Sequence, residues 1–181
     1  MKTNRKTIYG ILFVVAGLFL YKTITDTADY QIQHYVSKFG NASFRLDRVI
    51  ASFESMGFQD GVKFIVANGE LTSADLESPA IFRPMLEEAG RKTNFYGTHG
   101  KWFRSNDAGE QAKSSIKAIS QCAQNNLQHI PQWEVAERSI AQGKAMISLE
   151  YFEDISGDNS GVSSLVYDAS SKTLFYLYCN Y

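Results

Sequence analysis

Histidine, cysteine and proline are scarce in this chain: three, two and three residues among 181. His34, His99 and His129 lie in separate segments, and none stands one helical turn from a second metal-binding side chain. Helical zinc motifs are thereby excluded. An excess of charge is also missing, with 18 Lys and Arg against 19 Asp and Glu. Without a basic surplus to neutralise phosphates, nucleic acid is not an expected partner. No G-x-S-x-G nucleophile elbow occurs, and there is no internal repeat or low-complexity tract. Gly97-Thr98-His99-Gly100 is too short for a phosphate loop, and Glu87-Glu88 reads as a solvated helix end. The polar run from Asp154 through Asp158 and Asn159 to Gly161 lacks the spacing and terminal Glu of an EF-hand. No catalytic residue, metal site or cofactor is expected.

What is present begins at the N-terminus. Lys2, Arg5 and Lys6 precede an uncharged run from Thr7 to Tyr21, rich in Ile, Leu, Val and Phe. A bilayer core asks for roughly 20 apolar residues. The run approaches that length once Lys22 snorkels and the span extends to Ile24. The basic flank keeps the N-terminus cytoplasmic. The expectation is a single-pass inner-membrane signal-anchor with a periplasmic or extracellular C-terminal domain. A cleaved signal peptide is the competing reading. Small residues are badly placed for it: a cut after Ala28 leaves Asp26 at the third position before the cut.

Four segments follow from this reading: 1–6 as a basic cytoplasmic stretch, 7–24 as the anchor, 25–57 as an amphipathic helix, and 58–181 as an extracytoplasmic head. In the helix, Ile32, Val36, Phe39, Leu46, Ile50 and Phe53 recur at spacings of three and four. The phase runs through Gly40, and Gly57 offers a stop. In the head, Val62–Ala67 reads as a strand or short buried helix, with a turn at Asn68-Gly69. Leu71–Ala89 reads as helical in parts, and Thr93–Arg104 as a hairpin with Gly97–Gly100 at its tip. Ala112, Ile116, Ile119, Ala123, Leu127 and Ile130 predict a helix, with Asp107 as its cap. A short helix over Gln132–Gln142 is expected next. Alternation from Ala145 to Phe152, then in 162–168 and 173–181, predicts a three-stranded antiparallel meander. The fold class expected is α+β: a long N-terminal helix, transmembrane and then amphipathic, packed on an antiparallel sheet of three or more strands.

Cys122 lies on the flank of the predicted helical stripe and Cys179 in the last strand. Two cysteines in an exported chain suggest one disulfide, with two free buried thiols as the alternative. Closing a loop of about 57 residues would contribute about 4 kcal/mol on the loop-entropy account.

This layout resembles the type IV pilins, especially the type IVb group. The basic leader ends in Gly10, an apolar helix starts at Ile11, and one Cys sits on an internal helix while another lies near the C-terminus. The stretch from Ala118 through Cys122 to Leu127 is similar to the cysteine-bearing helix of such heads. The resemblance implies cleavage between Gly10 and Ile11, lateral packing of the apolar helix with other subunits, and a disulfide around the C-terminal region. The chain departs from the family at Val15, where a glutamate is usual, and at the Gly10-Ile11 junction, where Gly-Phe or Gly-Met is usual. The function expected is an anchored structural or assembly component of a bacterial surface or secretion apparatus. Its partners would be membrane lipid and other proteins, bound through the N-terminal helix in a homo- or hetero-oligomer. The alternative is an anchored periplasmic binding or accessory protein without catalytic activity.

Overall fold

A computed structural model describes residues 16–17, 27–56, 61–81, 83–84, 93–98, 100–126, 130–154 and 160–180. Its centre is an antiparallel sheet. Helix α1 (Ala28–Phe39) precedes the long strands β1 (Ser43–Met56) and β2 (Gly61–Thr72). Short strands β3 (Arg83–Pro84), β4 (Thr93–Gly97) and β5 (Phe103–Arg104) come next, then helices α2 (Glu110–Asn125) and α3 (Trp133–Ala141). Strands β6 (Ala145–Asp154), β7 (Ser160–Asp168) and β8 (Thr173–Asn180) close the chain. The strand order is β1-β2-β8-β7-β6-β4-β3, with β5 also on β6.

The largest correction concerns the expected long helix. Helix α1 is capped by the Thr27 hydroxyl, which accepts from Tyr30 N at 3.3 Å, and it buries Ile32 and Val36 as the stripe requires. It ends at Gly40, and Asn41 takes a positive φ of 42°. Gly40 is needed there for close approach: a Cβ would lie 2.7 Å from the Trp102 ring, whose Nε1 donates to Gly40 O at 2.6 Å. Residues 43–56 then form a strand, not a helix. Two bulges explain the misleading spacing. The register shifts between Leu46 and Arg48 and again between Val49 and Ala51, so Asp47 and Ile50 have no opposite residue on β2. Phe44, Leu46 and Val49 pack on one face, while Ala51 and Phe53 pack on the other. Alternation broken by two inserted residues yields intervals of three and four, the signature of a helix. Ile50, a member of the apparent stripe, is 42% exposed.

The fold is therefore predominantly antiparallel sheet with three short helices among the described residues, in place of a long N-terminal helix on a small sheet. The single-pass membrane placement is also corrected: among the described residues no helix is long and apolar enough to cross a membrane. Apart from Ala16 and Gly17, the expected anchor at 7–24 lies outside the described residues, as do the basic segment 1–6 and the Gly10–Ile11 junction.

Smaller corrections have local causes. Asn68-Gly69 is not a turn but part of β2, where Gly69 faces Leu46 beside the first bulge. A Cβ at Gly69 would lie 2.3 Å from Arg45 O, so the close approach requires glycine. The described part of 71–89 contains no helix; Leu76 makes a single bridge to Trp102 instead. The expected hairpin at 93–104 does not form, because β4 and β5 both pair with β6 rather than with each other. Thr98 holds the junction: its N–H donates to Leu149 O at 2.9 Å, and its hydroxyl accepts from Leu149 N at 3.2 Å. Gly109, not Asp107, is the N-cap of α2. The meander forms as expected, with β7 between β6 and β8.

The sheet is covered on both faces. Phe64, Val66, Ile147, Leu149, Phe175 and Leu177 meet α2 and α3 through Ile119, Ala123 and Trp133. On the other face, Ile65, Leu165, Tyr167 and Tyr176 meet Ile32 and Val36 of α1 together with Trp102.

Candidate functional site

The two predicted cysteines come together. Cys122, near the end of α2, is bonded to Cys179 of β8, with Cα atoms 6.5 Å apart. Cys179 is opposite Val62 on β2 and Val162 on β7, so the bond fastens α2 to the middle of the sheet. Both sulfur-bearing residues are buried.

Cys122 also lines a cleft of about 320 Å³. Ala118, Gln121, Cys122 and Asn125 follow one another at helical intervals of three, one and three, which puts them on a single side of α2. This strip is rotated from the residues that α2 buries, and Cys122 belongs to both. Val62, Ala118 and Cys122 give the cleft an apolar wall. Gln121, Asn125, Asn126 and Asn180 surround it with carboxamide residues, and no charged residue lines it among the described residues. Asn126 Nδ2 donates to Cys122 O at 2.9 Å, capping the helix and leaving its amide oxygen available. Carboxamides both donate and accept, so such a lining suits a neutral, hydrogen-bonding group resting on an apolar floor. Among the described residues its lining holds no nucleophile with an adjacent base. The sequence contained one signal for this site, the run of amides Gln121, Gln124, Asn125 and Asn126 around Cys122; its clustering depended on the β8 end that the disulfide brings across.

The opposite face carries a different set of groups. Lys63, Tyr178, Ser163 and Glu150 stand in register on β2, β8, β7 and β6, one row across the sheet. Tyr35 of α1 stacks on Tyr176 with centroids 4.0 Å apart. Lys63 pairs with Glu54 at 3.0 Å and lies 5.7 Å from the Tyr35 ring centre. Burial works to lower the Lys63 pKa, but its hydrogen bond to Glu54 and the Tyr35 hydroxyl outweigh it and the net direction is upward. Burial pushes the Glu150 carboxyl up to about 7, with the Lys38 charge acting weakly the other way. Burial also raises both Tyr176 and Tyr178.

Of the three histidines, only His34 lies among the described residues. His34 is exposed on α1 beside Tyr30 and Tyr35, whereas His99 and His129 lie outside the described residues, as do Glu87, Glu88 and Asp158. Among the described residues no group of three His, Cys, Asp or Glu side chains could hold a metal ion. The aromatics of the C-terminal strands serve mainly as core, with Tyr167, Phe175 and Tyr176 buried and Tyr178 half-buried. No family model, curated protein or solved structure matches this chain.

Proposed function

We propose that the chain is an extracytoplasmic, non-catalytic recognition or assembly component whose disulfide-stapled head engages its partner through the uncharged cleft beside Cys122. The observation that carries this reading is the Cys122–Cys179 bond and the amide-lined cleft beside Cys122. A disulfide favours an oxidising compartment. Neutral amides over an apolar wall favour binding by shape and hydrogen bonds over charge steering. Similarity to the type IVb pilins retains one support, a helix cysteine bonded to a cysteine of the last strand. It has lost another, the continuous helix to Gly57.

Photo-crosslinking from position 121 in the full, oxidised chain tests the cleft, with exposed Ser114 of the same helix as control. A discrete adduct at 121, absent at 114 and lost on reduction, is the expected result. Equal labelling at both positions, or none at either, would overturn the reading. N-terminal sequencing addresses assembly separately: a chain starting at Ile11 supports pilin-like processing, and one starting at Met1 removes it.

A further inference from the structure

A second pocket, of about 200 Å³, opens on the α2 and α3 side of the sheet at the opposite end from the disulfide. Helix α3 and the residues after it supply Arg138, Ser139, Gln142 and Lys144, and the end of β7 and the turn after it supply Asp168 and Ser170. Asp168 is buried but not free. Its Oδ1 accepts from Ser170 N at 3.1 Å and from Ser170 Oγ at 2.7 Å, and its Oδ2 accepts from Ser171 Oγ at 2.7 Å. Burial works to raise its pKa, but these bonds outweigh it and hold the carboxyl below its ordinary value. The turn thus satisfies the oxygens of this carboxylate with neutral donors while leaving its charge in place.

The two cations of the pocket are left over. Arg138 spends its Nε on Glu134 O at 3.3 Å. Neither its terminal nitrogens nor the Lys144 ammonium forms an ion pair among the described residues. Gln142 adds an amide donor on the same rim. The arrangement offers a planar guanidinium, an ammonium and a carboxamide around a small concavity, where two cations outnumber one carboxylate whose oxygens are already hydrogen-bonded to the turn.

We propose that this pocket binds a small oxyanionic group, a carboxylate or a phosphate, with Arg138 and Lys144 supplying the charge and Gln142 a further hydrogen bond. The oxidised full chain is titrated with inorganic phosphate and, in a separate arm, with acetate, following backbone amide NMR shifts. Saturable shifts centred on Arg138, Gln142, Lys144 and Ser170 are expected, with a dissociation constant on the order of 1 mM that weakens as sodium chloride is added. Tighter binding of phosphate assigns a phosphate-bearing ligand, and equal or tighter binding of acetate assigns a carboxylate. Arg138→Gln and Lys144→Gln should each weaken binding by about threefold or more, a loss of roughly 0.7 kcal/mol or more, and together abolish it. Both residues are exposed, so the variants should keep the parent's melting temperature and amide spectrum elsewhere. Non-saturable shifts, shifts spread over the whole surface, or unchanged affinity in the double variant would overturn the proposal. The amide cleft lies at the other end of the sheet, so failure here leaves the crosslinking test unaffected.

Discussion

Two half-hidden carboxyls, one on each face of the sheet, respond to burial in opposite ways. Asp168, on the α3 face, is 5% exposed yet held below its usual pKa, because serine donors surround it. Glu150, on the α1 face, rises to about 7, because burial is opposed only by the Lys38 charge. Burial pushes both carboxyls upward, and only where serine donors are supplied does the charged form win. The same contrast runs through the two layers. The α2 and α3 layer is tied by a covalent bond and by short local hydrogen bonds. The α1 layer is held by stacked rings, one indole hydrogen bond and a row of polar groups across the sheet.

The largest test of this contrast is to cut the staple. Cys122→Ser with Cys179→Ser should cost about 4 kcal/mol, read as a lower denaturant midpoint. Hydrogen exchange should show the loss first in α2, while α1 keeps its protection. Equal loosening of both layers would show that they unfold as one unit. On the other face, Trp102→Phe deletes the donor to Gly40 O. An unpaired buried carbonyl and a smaller ring together predict a loss of about 1–3 kcal/mol, with α1 exchanging before α2. An unchanged melting temperature would mean that the indole bond contributes nothing.

The third test separates the carboxyls by pH. A carboxyl whose folded pKa is raised binds its proton more tightly in the native state, so its stabilising effect is present below the unfolded value and lost as pH rises. For Glu150 the window runs from about 4.5 to about 7. Partial exposure limits the loss to about 1–2 kcal/mol. Glu150→Gln should remove this fall and leave the variant more stable than the parent at pH 8. Asp168 has the opposite sign: its contribution is present above the ordinary Asp value and lost as pH falls through its lowered folded value. If Glu150→Gln leaves the slope between pH 4.5 and 7 unchanged, the acid is solvated. The smallest effect is expected at Ile50, where Ile50→Thr should change stability by less than about 0.5 kcal/mol. A loss of 2 kcal/mol or more there would place Ile50 in the core after all.

Much of this contrast could be read from residue order, but only where a single period governed a segment. Helix α2 followed from an apolar stripe, although it ends at Asn125 and leaves Ile130 of that stripe outside it. Helix α3 followed from the stop at Gly143, and the meander from clean alternation between Ala145 and Tyr151. Ile32 and Val36 were correctly read as buried helix. The reading failed where two effects were superposed. In β1 the bulged residues Asp47 and Ile50 turned a period of two into apparent threes and fours. At 93–104 the glycines suggested a reversal, whereas Thr98 carries the chain onward along the same edge of β6. Of the sites, the disulfide was legible from count and context. The amide cleft and the cationic pocket were not, because each joins a helix to strand ends distant in sequence: Asn180 for one, Asp168 and Ser170 for the other.

The bulges in β1 have a further consequence. This is the outermost strand of the sheet, 14 residues long, and a straight strand of that length would template the addition of another chain. Asp47 and Ile50 each interrupt its ladder, and Arg45, Asp47, Arg48 and Glu54 add charge along it. An incoming strand would find no long stretch of evenly spaced donors and acceptors. The two residues that disguise this strand as a helix also guard it against aggregation.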